Sequence, residues 1–434
     1  MAPISESLEF EVYSKIHKAP DHIRITIHQK VVKSLYKHAL KLLKKENSII
    51  GFQQDHAPQI YLDEYYREHV LNHLKEFLLK YSVISFLYKN VREKKIIMIG
   101  DPRLDNIIIN LGQNAEYHFD FTPAPPVPVR DWRYLPFKPP LRKKYKDIDK
   151  QATNFITEER TLKSNLGENS DISTGDWILF SASLLNENKK PLFNNLQEYL
   201  WLRISDEETG EPFNTLFIER KKGDQFNSTN QCLCEYFGSQ LNIPYLFQIS
   251  ILEVLPHTYF CLDSFKEQFR LKSDRKTHQK IVEVYSFRND LSLRRAMVEE
   301  TYKVLSRTFP IDVPQSAITR QERIIRDELQ LNPDYSVYKL QSTFSDTIKS
   351  LAEKQMRTTL LTDYFSQQEN ITIDAKDVYN YLNLTKRPRT KEFIHFLHPS
   401  IRVNEDEAPI PYESLKHTCI KEKTMNHILY HLTK

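Results

Sequence analysis

Residues 48–58 read Ser-Ile-Ile-Gly-Phe-Gln-Gln-Asp-His-Ala-Pro and connect two segments whose apolar residues recur at helical spacing. Residues 30–46 are predicted to form the first helix, with Val31 and Leu35 on one face and lysines on another. Residues 59–80 are predicted to form the second helix. Because glycine and proline interrupt regular structure, the intervening stretch is predicted to be a loop.

Strands are predicted on both sides of these helices. Residues 23–27 are β-branched at most positions and alternate in polarity, and two more strands are predicted near 106–110 and 115–121. Helices inserted among antiparallel strands are typical of an α+β fold. The first segment is therefore predicted to be an α+β domain that ends near Thr122.

The first predicted helix is strongly basic. Residues 30–46 contain six lysines and one glutamate. Such a face suits a polyanion, because each phosphate contact releases counterions. A solvated helix face with no partner is an equally good interpretation of the charge alone.

The composition excludes several classes of protein. The chain has 434 residues and only 8 glycines, where average usage of roughly 7% would give about 30. Neither G-x-G-x-x-G nor G-x-x-x-x-G-K-[ST] occurs, which excludes the glycine-rich nucleotide cradles. The net charge of +4 does not by itself predict a nucleic-acid partner.

Targeting signals and membrane spans are not predicted. The first ten residues lack the cationic and apolar regions of a secretory signal, and no run of about 18 apolar residues occurs. We therefore expect a cytoplasmic protein. The four cysteines are expected to be reduced structural thiols: Cys232, Cys234, Cys261 and Cys419.

The chain changes character after residue 122. Seven of its 22 prolines fall between Pro123 and Pro140, which predicts an extended linker, and a basic run follows at 142–146. A β-rich segment covers about 174–253. Its strands are predicted at 177–183, 198–204, 226–234 and 245–254. From about residue 263 the chain is predicted to be helical, with helices at 290–307, 314–331, 335–368, from Asp374, and 412–432.

Signals for catalysis are weak. His69 and His73 lie four residues apart on a predicted helix but lack a third ligand, and His395 and His398 suit surface packing. No G-x-S-x-G elbow occurs, and no cysteine has the context of a nucleophile. No metal and no cofactor is predicted.

The order of strand, basic helix, tip loop and helix resembles the ribosome-docking domain of bacterial trigger factor. That family carries G-F-R-x-G-K-x-P at the tip of a helical hairpin, and this chain matches it at Gly51, Phe52 and Pro58. It departs at Gln53, Asp55 and His56, where the family has Arg, Gly and Lys. Divergent chlamydia-like members have a similarly eroded pattern. The resemblance implies that these residues contact the ribosome: Gly51, Phe52, His56, Pro58, Lys37, Lys41, Lys44 and Lys45.

The resemblance extends along nearly the whole chain by order of segments. Residues 311–314 (Ile-Asp-Val-Pro) and 371–373 (Ile-Thr-Ile) are similar to C-terminal signatures of the family. It implies an α+β multidomain, elongated fold. The implied parts are a ribosome-docking α+β domain (1–122), a Pro-rich and basic linker (123–173), an FKBP-like domain (174–260) and a helical chaperone domain with arms (261–434).

An FKBP-like domain implies peptidyl-prolyl cis-trans isomerase activity. Gly175 and Asp176 match the opening of that domain, but Ala182 and Leu184 stand where an aromatic residue and a glycine are usual. The residues proposed to form a proline pocket are Phe213, Phe226, Tyr236 and Phe247. The alternative is that all four are core aromatics. We expect the fold to be kept and catalysis to be weakened or lost.

The helical part implies a surface for unfolded polypeptides. Client-binding residues are expected among aromatics at helical spacing, namely Tyr302, Tyr338, Phe344, Tyr364 and Phe365, with Tyr335 and Tyr379 as further candidates. The alternative for each is helix–helix core.

The sequence thus predicts an ATP-independent chaperone that docks at the ribosomal exit tunnel and shields nascent chains. By resemblance, its roles would lie in protein folding, export and cell division. Expected partners are exit-tunnel protein and rRNA, and nascent or unfolded polypeptides, with no membrane. The chain would be a monomer on the ribosome and a dimer when free. The rival interpretations are a prolyl isomerase first and foremost, and a holdase that works without the ribosome.

Overall fold

A computed structural model describes residues 8–14, 21–46, 51–125, 127, 129–141, 147–164, 171–193, 196–204, 211–288, 291–398, 402–403 and 406–434. The basic run predicted at 142–146 lies outside the described residues. The exposed surface is 23577 Å², against about 17,000 Å² expected for a compact chain of this mass. The large surface agrees with an elongated molecule.

The first part of the chain, called the head here, contains a four-stranded antiparallel sheet. Its strands are β1 (Leu8–Tyr13), β2 (His22–Ile27), β3 (Arg103–Ile108) and β4 (Ala115–Asp120). They run in the order β1-β2-β4-β3, with Ile25 opposite Tyr117 at the centre. Residues Ile23, Ile25 and Ile27 of β2 are fully buried, so the alternation seen in the sequence does place one face in the core.

Four helices are inserted between β2 and β3. They are α1 (Gln29–Glu46), α2 (Gln59–Tyr65), α3 (Arg67–Leu78) and α4 (Ile84–Glu93). The single helix predicted for 59–80 is therefore wrong, because the backbone departs from helical geometry at Tyr66. A π-helical turn, Leu79–Val83, joins α3 to α4. Such a turn shifts the helical register by one residue, which keeps apolar residues of both helices on the core side.

The segment after the head is anchored to the helical part at Trp132. This residue opens a short 3₁₀ turn, Trp132–Tyr134, and its side chain is buried. The indole N–H donates to Glu369 Oε1 at 2.9 Å. A helix follows, α5 (Ile148–Ser164).

The middle of the chain forms a five-stranded sheet in the order β13-β6-β5-β8-β7, in which β13 (Ile410–Pro411) comes from the last part of the chain. Its elements are β5 (Trp177–Leu184), β6 (Glu198–Arg203), α6 (Glu211–Phe217), β7 (Gln225–Ser228), α7 (Gln231–Phe237) and β8 (Phe247–Leu255). The strand predicted for 226–234 is wrong in its second half. Asn230 accepts a hydrogen bond from the Leu233 backbone N–H at 3.2 Å and so begins α7 instead.

Both faces of this middle sheet are covered. Ile178, Phe180 and Ala182 of β5 belong to a core shared with the head, whereas Trp177 and Leu179 belong to a core shared with the helical part. A strand buried on both faces is apolar at successive positions rather than alternating.

The chain from residue 261 onward, called the body here, is largely helical. Its helices are α8 (Leu262–Gln268), α9 (Asp274–Tyr285), α10 (Leu293–Thr308), α11 (Gln315–Gln330), α12 (Tyr335–Lys339), α13 (Phe344–Gln368), α14 (Ala375–Thr385) and α15 (Tyr412–Leu432). Its short strands are β9 (Phe287–Arg288), β10 (Leu291–Ser292), β11 (Arg402–Val403), β12 (Asp406–Glu407) and β13 (Ile410–Pro411). Asp374 begins α14 with a capping box, as its position predicts. The single helix predicted for 335–368 is wrong, since α12 and α13 are separate.

The head and the middle sheet meet at a seam of buried side chains. His73 Nε2 lies 3.1 Å from the Tyr245 hydroxyl, and the Tyr81 hydroxyl donates to Leu196 O at 3.0 Å. Phe77 packs against Tyr245 with ring centroids 4.7 Å apart. The α+β, multidomain fold predicted from the sequence is confirmed, and the seam shows that its first two parts share one core.

Candidate functional site

The loop between α1 and α2, residues 51–58, is the exposed end of a helical hairpin and is called the tip here. Gly51 has φ +88° and Asp55 has φ +62°. Left-handed backbone is tolerated by aspartate far better than by most residues. Asp55 therefore occupies a left-handed position that would otherwise favour glycine.

Hydrogen bonds to the end of α1 hold the tip in place. The Asp55 backbone N–H donates to Lys44 O at 3.3 Å, and the Gln54 side-chain amide donates to Lys45 O at 2.8 Å. The His56 backbone N–H closes a turn on Gln53 O at 3.0 Å. The first two contacts cap carbonyl groups of α1 that have no partner within the helix.

An apolar patch extends from the tip along α2. Phe52 contacts Tyr61, and Tyr61 contacts Tyr65, with ring centroids 4.8 Å and 4.4 Å apart. Ile60 is 80% exposed and Tyr65 is 60% exposed. The patch (Phe52, Ile60, Tyr61, Tyr65) was predicted only at Phe52. The spacing of Tyr61 and Tyr65 on one helix face was the signal in the sequence.

The lysines of α1 form a stripe beside the tip. Lys41 pairs with Glu187 of the middle part at 2.5 Å, and Lys44 lies 3.8 Å from Asp55. The Lys41 ammonium lowers the pKa of the Glu187 carboxyl. Lys37 and Lys45 are exposed, and the described residues provide neither with an acidic partner within 4.0 Å. The stripe is thus partly neutralised by the chain's own carboxylates.

Two further lysines, at the end of α4, are engaged within the chain. Lys94 lies over the Phe10 ring, with its ammonium nitrogen 4.5 Å from the ring centroid. Lys95 donates to Asn370 Oδ1 at 2.7 Å. The basic stripe beside the tip therefore consists of the α1 lysines.

The four aromatics proposed for a proline pocket lie in or against one core. Phe213, Tyr236 and Phe247 are buried, and Phe247 packs beside Phe237 with ring centroids 5.4 Å apart. Phe226 is half-buried beneath the Arg220 guanidinium. These positions agree with the core alternative rather than with an open pocket.

The Gly175–Asp176 turn has a structural role. The Asp176 carboxylate is buried and accepts the backbone N–H of Ser173 at 2.9 Å and of His257 at 2.6 Å. Gly175 has φ +86°, in the left-handed region that favours glycine. The turn therefore fixes the start of β5.

Most of the aromatics predicted to bind clients are buried between helices. Tyr302 bonds Thr362 Oγ1 at 2.6 Å, Phe365 packs against Trp132, and Tyr364 donates to Pro125 O. Phe344 is also buried, and Tyr335 packs against it edge to face. Tyr338 is 38% exposed.

Several exposed apolar residues of the body lie instead at the turn between α11 and α13. Leu331 and Leu340 are each 87% exposed, and Val337 is 61% exposed. The sequence did not predict this apolar turn, because residues 335–368 were interpreted as one helix.

A cleft of 740 Å³ lies between α4 and residues 96–103 on one side and α11, α13 and α15 on the other. Apolar side chains such as Ile324 and Met356 line it together with polar ones such as Arg320 and Asp363. The cleft is therefore a space between head and body that is open to solvent on one side.

No metal centre is present among the described residues, since no group of three His, Cys, Asp or Glu side chains is arranged to hold an ion. His73 is buried against Tyr245, and His395 stacks on Tyr302. All four cysteines are free thiols. No helix in the described part of the chain is long and apolar enough to cross a membrane.

Comparison with known proteins gives one consistent family. Residues 11–155 match the family model described as bacterial trigger factor protein. The trigger factor of Geotalea daltonii is 21% identical over 361 residues, covering 77% of this chain and 78% of the relative. That of Rickettsia canadensis is 19% identical over 402 residues, covering 91% and 87%.

A solved structure is similar along nearly the whole chain. It was reported as "Promiscuous Substrate Recognition in Folding and Assembly Activities of the Trigger Factor Chaperone". The alignment covers 96% of this chain and 99% of that chain, with 14% identity and a TM-score of 0.36.

Proposed function

We propose that this chain, a divergent relative of bacterial trigger factor, is an ATP-independent chaperone that docks on the ribosome through the tip. The observation that carries the proposal is the tip itself. It presents Gly51, Phe52, His56 and Pro58 at the end of a hairpin, beside a lysine stripe and the apolar patch. The division of the chain at residues 122, 173 and 260 is part of this proposal.

Docking would combine two kinds of contact. Exposed lysines of α1, Lys37 and Lys45, would contact rRNA phosphates, and binding would fall steeply with salt. The apolar patch would contact protein at the tunnel exit, since exposed aromatic side chains are typical of interface centres. Off the ribosome the same patch would favour a dimer.

Client binding would use the apolar turn (Leu331, Val337, Tyr338, Leu340) and the cleft between head and body. Scattered apolar surface separated by polar side chains binds many sequences weakly, and several weak contacts add along one chain. Of the client-binding residues predicted from the sequence, Tyr338 is exposed on the apolar turn.

A ribosome co-sedimentation experiment tests docking. Phe52→Ala should weaken binding at low salt by about tenfold or more, because it removes the aromatic at the tip. Asp55→Asn should strengthen it, because asparagine tolerates the same backbone while removing the carboxylate beside Lys44. Lys303→Gln on α10, exposed in the body, is the matched control.

The outcomes distinguish the rival functions. If the wild-type chain does not co-sediment at low salt but still suppresses aggregation of a denatured client, the ribosome-independent holdase is supported and docking is wrong. If neither activity is found, the chaperone proposal fails.

Prolyl isomerase activity is expected to be weak or lacking. A peptidyl-proline must reach an open aromatic pocket, and Phe213, Tyr236 and Phe247 are buried. A proline-peptide isomerisation assay should therefore show little turnover above the uncatalysed reaction. Clear turnover that collapses in Phe213→Ala would instead promote the isomerase interpretation.

A further inference from the structure

A second cavity, of 620 Å³, lies inside the body and is separate from the tip and from the cleft. Helices α9, α10, α14 and α15 and the end of α8 form its wall. Apolar side chains such as Met297 and Leu429 line part of it, but much of the wall is polar.

The polar side chains of this wall are incompletely hydrogen-bonded. Within the described residues, buried polar atoms without a hydrogen-bond partner occur on these side chains of the wall: Gln268, Glu283, Arg294, Asn380, Glu422 and Asn426. Arg294 and Glu422 are each only 1% exposed. Because more than nine in ten buried polar groups in proteins are hydrogen-bonded to protein or to ordered water, this concentration in one wall indicates a place for a polar molecule, either water or a ligand.

A buried guanidinium group and a buried carboxyl group face this cavity without forming an ion pair with each other. The Arg294 guanidinium donates to Asn426 Oδ1 and lies over the Phe269 ring, which leaves Nε unpartnered. One oxygen of Glu422, Oε2, accepts the His395 and Phe396 backbone N–H groups at 2.9 Å and 3.0 Å. Its other oxygen, Oε1, has no partner.

Other charges around the cavity are paired or hydrogen-bonded, or, at Arg270 and Lys276, exposed to solvent. Lys280 pairs with Glu283 at 3.0 Å. Lys376 pairs with Glu267, and Lys423 pairs with Asp377, each at 2.7 Å. A net anion or a net cation would therefore meet one favourable and one unfavourable buried charge, whereas a ligand carrying both charges would complete both sites.

We propose that this cavity binds a small zwitterion of amino-acid or dipeptide size. Its carboxylate contacts Arg294, its ammonium group contacts Glu422, and its amide groups bond Asn380, Asn426 and Gln268. The volume exceeds that of one amino acid, and Met297 and Leu429 provide room for an apolar side chain.

Isothermal titration of the full chain with glycyl-L-leucine tests the proposal. Two comparison peptides isolate the charges: N-acetylglycyl-L-leucine lacks the ammonium group, and glycyl-L-leucine amide lacks the carboxylate. Each should bind at least about tenfold more weakly than the zwitterion. Equal affinity for all three peptides, or no binding of any, would show that the site holds ordered water only and would overturn the proposal.

Two variants test whether the ligand binds in this cavity. Each should keep its affinity for one of the comparison peptides, which shows that the variant is still folded. Glu422→Gln should weaken binding of glycyl-L-leucine by about tenfold but leave that of the acetylated peptide unchanged, because only the ammonium contact is lost. Arg294→Met should likewise weaken binding of glycyl-L-leucine by about tenfold but leave binding of glycyl-L-leucine amide unchanged, because only the carboxylate contact is lost. Lys303→Gln, on the same helix as Arg294 but exposed, should change nothing. If every variant loses all binding, or if no variant loses any, the ligand is not bound by Arg294 and Glu422 in this cavity.

Discussion

Glu422 is a carboxyl group buried in α15. Burial raises the pKa of this group to about 7, against an ordinary value of 4.5. The Arg294 guanidinium of α10 and the backbone N–H groups of His395 and Phe396 oppose this rise. Glu422 in turn raises the pKa of three neighbouring groups: Tyr302, Tyr381 and Cys419. Between those two pH values the folded chain holds a proton that the unfolded chain has released.

The free energy of unfolding should therefore depend on pH through Glu422. Its contribution to stability is fully present below the unfolded pKa of 4.5 and is lost as pH rises through about 7. Glu422→Gln stays neutral at every pH, so it should be more stable than wild type at pH ~8, by an amount on the order of 3 kcal/mol, and nearly equal to it at pH ~4.5.

Urea unfolding of both proteins across this pH range measures the difference. Glu407→Gln, a change at a partly exposed carboxylate, is the control and should give a curve parallel to wild type. A difference between Glu422→Gln and wild type that does not grow with pH would contradict the assigned titration.

Asp55 shows how far the sequence alone could go at a single residue. The pattern at 51–58 predicted a tip, and the mismatch at Asp55 suggested a departure from the family. The backbone gives the mismatch a physical reading, because Asp55 has φ +62°, in the left-handed region that glycine adopts most readily. The partial neutralisation of Lys41 by Glu187 could not be predicted, because these residues are 146 positions apart.

Helix α7 and helix α3 meet at Gly238, where the seam is tightest. A Cβ atom built on this glycine would lie 2.8 Å from Cε1 of His73, a fully buried ring. Gly238 has φ −163°, which any residue adopts. A larger residue there would therefore destabilise the fold through steric overlap alone and not through backbone strain.

Gly238→Ala should therefore destabilise the seam by about 1–3 kcal/mol. The strain should depend on His73, so the effect of Gly238→Ala should be smaller in a His73→Ala background. A double-mutant cycle from urea unfolding measures this coupling. Gly112→Ala is not a suitable control, because Gly112 has φ +83° and any side chain there would strain the backbone. Ser239→Ala is the better control: it removes the hydrogen bond from the Ser239 hydroxyl to Glu76, next to the seam, without adding bulk. Strictly additive effects would mean that the two residues do not share the contact.

The elements of this seam were hard to predict for a physical reason. Helical periodicity predicted α1, α11 and α15 closely, since each buries one face over several turns. His73 was considered as a metal ligand from its spacing to His69. Its role depends on Tyr245, 172 residues away, and burial lowers the pKa of His73 to about 4. The spacing of residues near His73 in the sequence cannot reveal that its neutral ring is hydrogen-bonded to a buried hydroxyl so far along the chain.

At the scale of the whole molecule, the middle sheet lies between two partners. Its strand β5 contributes alternate residues to the head core and to the body core, and the body adds the edge strand β13. The order of segments could be predicted from composition. The covering of both sheet faces could not, and it explains why aromatics chosen for a pocket are buried.

The linker is the other connection that determines the shape of the molecule. Trp132 is buried in the body core, and its indole N–H donates to Glu369 Oε1 at 2.9 Å. Glu369 also pairs with Arg133 and lies 3.4 Å from His427. The Pro-rich segment is therefore fixed to the body at this point and is not a free tether between head and body.

Replacing Trp132 should release this connection. Trp132→Ala should cost about 3–5 kcal/mol of local stability, because a large buried ring is lost, whereas Trp132→Phe keeps most of the packing and should cost about 1 kcal/mol for the hydrogen bond. Small-angle scattering should show a larger radius of gyration for Trp132→Ala and an unchanged one for Trp132→Phe. If Trp132→Ala remains folded by circular dichroism with an unchanged radius of gyration, the seam alone holds head to body. The Trp132 anchor would then contribute stability without determining the shape.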